Sequence, residues 1–398
     1  MDSCRREYEE RFRELVGAGG ARAFGRGRHA LLVLLKALGV EKGDRVGVCG
    51  YTCLSVAEPV MLCGATPVYL DVDEQTCIDP GAIEAQPSGS LKAVILQHTF
   101  GVPGRLRELL DACRRIGARV VEDCAHALGS SWNGVPLGKF GDGAIYSFGW
   151  GKSYTTGQGG MLTVNSRQLL ENVDAEIAGW ALAESPWSEL LLDCQRRVYW
   201  RSLGAGCEVA WKTFYLELCK RGMIHESFEL GGSRFLRRGY ARVAGERTSR
   251  AGLDQLRGWN RLKQVRRENT QWIRERLSGA GLPLWPVPAE ADAILLGYPL
   301  WAPDKRNVLA AARRKRLDID GWYESPVHPL AEGDLWAAGY TAGSCPRAEQ
   351  MARHLIHVPT ASSSVRKSLD AAIRLITAAR TRTREVREIP VDRGALAD

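Results

Sequence analysis

The chain has 398 residues, 45% hydrophobic and 25% charged, with a formal net charge of +8. That composition is globular and excludes a disordered chain, a fibrous repeat or a small disulfide scaffold. The basicity rests on 43 arginines against 11 lysines scattered along the whole sequence. Charge alone does not separate nucleic acid, an anionic membrane and a phosphate-bearing small molecule.

The first residues, Met1-Asp2-Ser3-Cys4-Arg5-Arg6-Glu7, are charged and lead into no apolar segment, which reads as no secretory signal. No run reaches 18 apolar residues, the best being 30–38 with Lys36 inside it. A soluble, cytoplasmic protein is expected. The 11 cysteines are odd in number, form no Cys-x-x-Cys pair and fall partly in apolar runs such as Met61-Leu62-Cys63. Buried free thiols are therefore expected, with no zinc and no other metal.

Over 28–38 apolar residues recur at 31, 32, 34, 35 and 38, the spacing of a helix face. Gly39 and Gly43 stop it before a buried strand at 45–49. Residues 55–63 read as a helix, 67–71 and 93–97 as strands, 106–116 as a helix, and 119–123, 144–148 and 160–165 as strands. Apolar strands alternating with helices predict an α/β fold, a mostly parallel sheet covered by helices on both faces. Ligands of such sheets bind at the carboxyl ends of the strands, where Asp71, Asp123 and Ser147 fall.

Between 171 and 250 the character changes to a helical stretch rich in Trp180, Trp187, Trp200 and Trp211 and dotted with Arg. Residues 253–277 read as a long polar helix leading into a last domain near Pro283, with a strand at 293–298 and helices at 308–316 and 365–380. The Arg-rich 380–398 tail reads as frayed. The expected organisation is a large domain over 1–250 with a divergent 171–250 segment, a linking helix over 251–282, and a smaller α+β domain over 283–398.

The informative window is 120–162. It places Asp123 at a strand end, His126 three residues later, Ser147 at the next strand end, and Lys152 in a glycine-flanked loop before Gly157-Gln158-Gly159-Gly160. Singly, each has an ordinary explanation as a helix cap, a core histidine or a solvated lysine. Together they offer a lysine nucleophile and a carboxylate able to keep an electron-sink ring protonated.

Five sets of residues extend the pattern. They are Gly43-Asp44-Arg45-Val46, Tyr51-Thr52-Cys53, Gly64-Ala65-Thr66-Pro67-Val68-Tyr69-Leu70-Asp71-Val72-Asp73, Ile78-Asp79-Pro80, and, near the end, His328 with Ser344-Cys345-Pro346-Arg347-Ala348-Glu349. With Glu122-Asp123-Cys124-Ala125-His126 and Ser147-Phe148-Gly149-Trp150-Gly151-Lys152, this order resembles the DegT/DnrJ-type nucleotide-sugar aminotransferases, of the fold-type I pyridoxal-phosphate (PLP) architecture. The resemblance runs over 24–165 and resumes in the last hundred residues.

The resemblance implies a catalytic Lys152 bound to PLP as a Schiff base, Asp123 at the pyridinium nitrogen, His126 near the phenolic oxygen and Ser147 at the phosphate. Gly27 and Arg28 match the helix start whose amides receive that phosphate. Cys53 stands where the family stacks an aromatic on the ring, and His328 matches a position lining the sugar pocket. It also implies a homodimer with shared active sites, with no nucleic-acid partner or membrane contact expected.

Departures are visible. Arg26-Gly27-Arg28 replaces Ser-Gly-Thr, so a guanidinium is available to pair with the phosphate, the alternative being an arginine pointing into solvent. With Cys53 in place of an aromatic, Tyr51 or Trp150 becomes the candidate ring cover. Gln158 stands for the usual Glu. The Asn-Tyr-Arg segment that reaches the partner's cofactor is not recognisable, Gly239-Tyr240-Ala241-Arg242 being the nearest match.

The expected function is a PLP-dependent transfer of an amino group from an amino acid, L-glutamate by resemblance, to a keto group of a nucleotide-linked sugar or related cyclic polyol, as in antibiotic or polysaccharide biosynthesis. The alternatives are a PLP-dependent dehydratase, lyase or decarboxylase of the same family, and a non-catalytic ligand-binding relative.

Overall fold

The computed structural model describes residues 3–204, 217 and 241–387. In chain order, α1 (Ser3–Val16) precedes β1 (Gly20–Phe24), α2 (Gly27–Ala37), β2 (Arg45–Cys49), β3 (Thr52–Cys53), α3 (Leu54–Leu62) and β4 (Thr66–Leu70). There follow α4 (Pro80–Glu84), β5 (Ala93–Gln97), α5 (Leu106–Ile116), β6 (Arg119–Asp123), β7 (Ser131–Trp132), β8 (Val135–Pro136), β9 (Gly143–Ser147) and β10 (Gly160–Val164). Next are α6 (Arg167–Trp180), β11 (Leu182–Ala183), α7 (Pro186–Gly204), β12 (Arg242–Val243) and α8 (Glu246–Gly279). The last part holds β13 (Ala291–Asp292), β14 (Gly297–Trp301), α9 (Lys305–Arg314), β15 (Val327–His328), α10 (Pro346–His354), β16 (Leu355–Pro359) and α11 (Val365–Arg387).

Nine strands form the main sheet in the order β11-β12-β1-β10-β9-β6-β5-β2-β4. The run from β9 through β6, β5 and β2 to β4 is parallel, and β10 is antiparallel to both β9 and β1. The strands alternate as a two-faced sheet requires. Val46, Val48, Ala93, Ile95, Val121 and Ile145 join one core with α2. Cys49, Val94, Leu96, Val120, Ala144 and Tyr146 join the other with α1 and α5. The expected mostly parallel α/β sheet with helices on both faces is thus the observed one.

Local chemistry explains the helix ends. α5 buries Leu106, Leu109, Ala112, Cys113 and Ile116 on one stripe and stops at Gly117, whose φ of 74° suits glycine. α8 begins at Glu246 rather than 253, because its polar first turn carries no apolar period to read. Tyr8 of α1 packs against Gly252 of α8, where a side chain would collide with its ring.

In the last part, β14 pairs antiparallel with β16. The strand expected at 293–298 lies instead at Gly297–Trp301, since Leu296 is already bound to the Phe100 carbonyl. α9 starts at Lys305 because Asp304 caps it by accepting from the Asn307 amide. α11 continues to Arg387, beyond the expected 380, and 388–398 fall outside the described residues. So do Trp211, Gly239 and Tyr240. The described part of the 171–250 stretch is helical in α6 and α7, and Arg242 lies in β12 with its guanidinium on the Ala183 carbonyl.

The described cysteines are free, mostly buried, although Cys194 is exposed; Cys207 and Cys219 lie outside the described residues. Among the described residues no helix is long and apolar enough to cross a membrane.

Candidate active site

The carboxyl ends of β5, β6 and β9 open onto a cavity of about 170 Å³ closed on the far side by residues of the last part. Lys152, Asp123, His126, Ser147, Gly27, Arg28, Cys53 and His328 all border it. Residues separated by up to 301 positions in sequence thus meet in one space.

Asp123 ends β6 and is 5% exposed. One carboxylate oxygen accepts from the Ala125 amide at 2.9 Å; the other takes no hydrogen bond within the described protein and faces the cavity. Burial pushes its proton affinity above the ordinary aspartate value, opposed by that amide and by Lys152. A carboxylate in this position favours a cationic group across the cavity.

Lys152 Nζ lies 2.8 Å from His126 Nε2. His126 Nδ1 accepts from the Phe100 amide at 3.3 Å, and burial, reinforced by Lys152, holds the imidazole well below its usual range. A neutral ring that accepts at Nδ1 carries its proton on Nε2. That proton points at Lys152, whose amine then accepts it as a free base. Burial also lowers the Lys152 amine from its ordinary value, with Cys53 and Asp123 acting in the opposite direction. The arrangement encloses a lysine amine whose hold on its proton is weakened, which favours its nucleophilic form.

Helix α2 starts at this cavity because Arg26 is extended and no side chain caps its first turn. The approach is tight at Gly27, where a Cβ would lie 3.0 Å from Ser147 Cβ. Gly160 is the stricter of the two, its Cβ position being 2.5 Å from the Gly27 nitrogen. Two glycines thus bring a helix start against the Ser147 side chain, a place where an anion is favoured.

Arg28 differs from both sequence expectations. The Arg28 guanidinium is neither solvated nor turned to a phosphate; it is buried and pairs with Glu58 of α3 at 3.0 Å. A buried arginine is retained at low cost only with such a partner. Arg26 reaches Gln158 at 3.4 Å. Asp71, expected at a ligand-binding strand end, instead accepts from the Arg347 and Ala348 amides and caps α10. Cys124 is buried away from the cavity, in a group with His98 and Glu122. There Glu122 already accepts from His98 and from the Gly138, Phe140 and Gly141 amides, a closed hydrogen-bond network.

Tyr51 does not border the cavity. Its hydroxyl donates to the Trp322 carbonyl and accepts from the Tyr323 amide, both at 2.7 Å. Trp150 does border it. The side chains that sequence reasoning missed are Trp322 and Tyr323, together with Gln97 and His98 at the end of β5. The carboxyl-end rule would have reached Gln97 and His98; nothing local announces Trp322. Its indole stacks on His126, the centroids 5.5 Å apart and the planes 11° apart. His328 joins through the parallel pairing of β15 with β3, opposite Cys53, and burial brings its imidazole down to about 4.

A sequence profile of the DegT/DnrJ/EryC1/StrS aminotransferase family matches residues 3–181. The L-glutamine:scyllo-inosose aminotransferase of Streptomyces griseus is 35% identical over 169 residues, 42% of this chain and 40% of that protein. The GDP-perosamine synthase of Caulobacter vibrioides is 37% identical over 164 residues, 41% of this chain and 44% of that protein. The chain therefore spans less than half the length of these curated relatives.

Solved structures agree over nearly the whole length. A putative sugar aminotransferase from Streptococcus pneumoniae, in its PMP form, superposes with a TM-score of 0.73 at 20% identity, covering 96% of this chain and 93% of that one. A DegT DnrJ EryC1 StrS aminotransferase from Brucella abortus gives 0.70 at 20%, covering 95% and 91%. Residues 3–181, which supply every site residue expected from the sequence except His328, match the DegT/DnrJ/EryC1/StrS aminotransferase family, and the chain carries the fold of these solved aminotransferases along most of its length.

Proposed function

We propose that the protein is a PLP-dependent aminotransferase moving an amino group from an amino acid to a keto group of a nucleotide-linked sugar or related cyclic polyol. The observation that carries this reading is the Lys152–His126 pair, 2.8 Å apart, in one cavity with the inward-facing Asp123 carboxylate.

The residues present fit the cofactor. Asp123 borders the cavity, no donor among the described residues bonds its second oxygen, and the close approaches of Gly27 and Gly160 build an anion cradle beside Ser147. Lys152 would hold PLP covalently, Asp123 its ring nitrogen, and Ser147 with the first turn of α2 at Gly27 and Arg28 its phosphate. His126 would border the phenolic oxygen, and Cys53 and His328 the ring and the incoming substrate. Bound PLP supplies an electron sink for carbanion chemistry. Asp123 keeps that sink protonated by placing negative charge against it. Lys152, enclosed in the cavity, takes a proton at Nζ and returns it, while Trp322 and Tyr323 limit the access of water.

The amino donor is L-glutamate or L-glutamine, the latter named for the Streptomyces griseus relative. The resemblance supports a homodimer with shared sites, and the pattern changes along the chain support a division into 1–250, 251–282 and 283–398. Purified protein reconstituted with PLP should release the corresponding 2-oxo acid from one of these donors and aminate a keto cyclitol or nucleotide-linked ketosugar. Wild-type protein that takes up no PLP, or that consumes no amino donor, overturns the reading.

A further inference from the structure

Lys152 Nζ lies between two flat side chains. His126 Nε2 is 2.8 Å away, and the Trp322 indole presents its face with the ring centroid at 4.8 Å. The sheet does not put Trp322 there. The Tyr51 hydroxyl, in a residue with no exposed surface, bonds both the Trp322 carbonyl and the Tyr323 amide. The pairing of Val327 with Thr52 and of His328 with Cys53 ties the same segment to β3. The backbone of Trp322 is thereby held from two directions.

The two neighbours act on the amine with opposite sign. An Nε2–H donor needs the lone pair of the free base, whereas the negative face of an indole attracts an ammonium. We propose that Trp322 is a positioning residue for amino transfer: its indole face favours a proton on Lys152 Nζ against the pull of His126. This rests on Lys152 being the reacting lysine of the aminotransferase reading.

Other charged and titratable groups surround the same atom. Cys53 faces it from β3, Asp123 from β6 and His328 from β15. His357 of β16 faces His126, and Arg266 of α8 holds the Lys152 carbonyl. The indole supplies a favourable face without a charge of its own.

The test is a pH titration of the visible absorption band of the PLP-loaded protein. Trp322→Leu keeps an apolar wall without the quadrupole and should move the titration midpoint down by about half to one pH unit. Trp322→Phe should restore most of the shift. Tyr51→Phe, which loosens the segment from outside the cavity, should shift it the same way by less, and it decides the matter if Trp322→Leu fails to bind PLP. A Trp322→Leu protein that loads PLP and titrates like wild type overturns this inference alone, as does an unshifted Tyr51→Phe where it decides. A wild type that binds no PLP overturns the aminotransferase reading and this inference with it.

Discussion

Two regions of the molecule build one cavity by different means. Residues 97–152 deliver Asp123, Ser147 and Lys152 through strand ends, where a five-residue strand and the turn after it dictate where each side chain stands. Residues 322–328 deliver Trp322, Tyr323 and His328 through tertiary bonds alone, chiefly the Tyr51 hydroxyl and two pairings with β3. The first region carries the groups to which the proposed chemistry is assigned. The second carries flat and enclosing surfaces that set how those groups behave.

That contrast predicts a ranking of damage. Lys152→Ala should have the largest effect, lowering amino transfer by ~10³-fold or more, read as 2-oxo acid release. Asp123→Asn should follow at ~10²-fold or more, with an opposite effect on stability. Its folded proton affinity is raised, so its favourable contribution is complete below the unfolded pKa and is lost as pH rises through the folded value. At neutral pH the buried charge therefore destabilises the cofactor-free protein. Asn removes that cost and should raise the apo melting midpoint by about 1–3 °C, whereas a lower midpoint would show that Asp123 is needed for packing.

The next effect is structural and crosses no reacting atom. Arg28→Met leaves Glu58 buried without its guanidinium and should cost about 3 kcal/mol in urea unfolding; a loss below 1 kcal/mol would mean that water reaches the pair. Tyr51→Phe removes two buried hydrogen bonds and should cost about 1–2 kcal/mol, with the greater functional change in the 322–328 wall. If it instead disturbed Lys152 as severely as a Lys152 substitution, the separation of the two regions would collapse. Arg114→Ala should be the least felt, within ~0.5 kcal/mol, because its pair with Asp111 is surface-exposed.

Legibility in the sequence followed the same division. β2, β5, α5 and β6 were readable to the residue, because strand alternation and a clean helical stripe are local signals. Asp123, His126, Ser147 and Lys152 were readable as one group because they end β6 and β9 or follow them at short range. Arg28 was placed correctly at the α2 start but its side chain was not, since its partner Glu58 sits 30 residues on and no periodicity links them. Asp71 looked like a ligand-facing strand end, yet a helix start 275 residues later claims its carboxylate. Trp322 was invisible because its position depends on a hydroxyl 271 residues away.

The central claim is that Lys152 is the residue through which this fold binds its cofactor. Wild-type protein should be loaded with PLP, reduced with borohydride, digested, and its peptides mapped by mass spectrometry. The account predicts a single reduced pyridoxyl adduct on the peptide containing Lys152. An adduct on another lysine, or none on a protein that has been fully reconstituted, would contradict it.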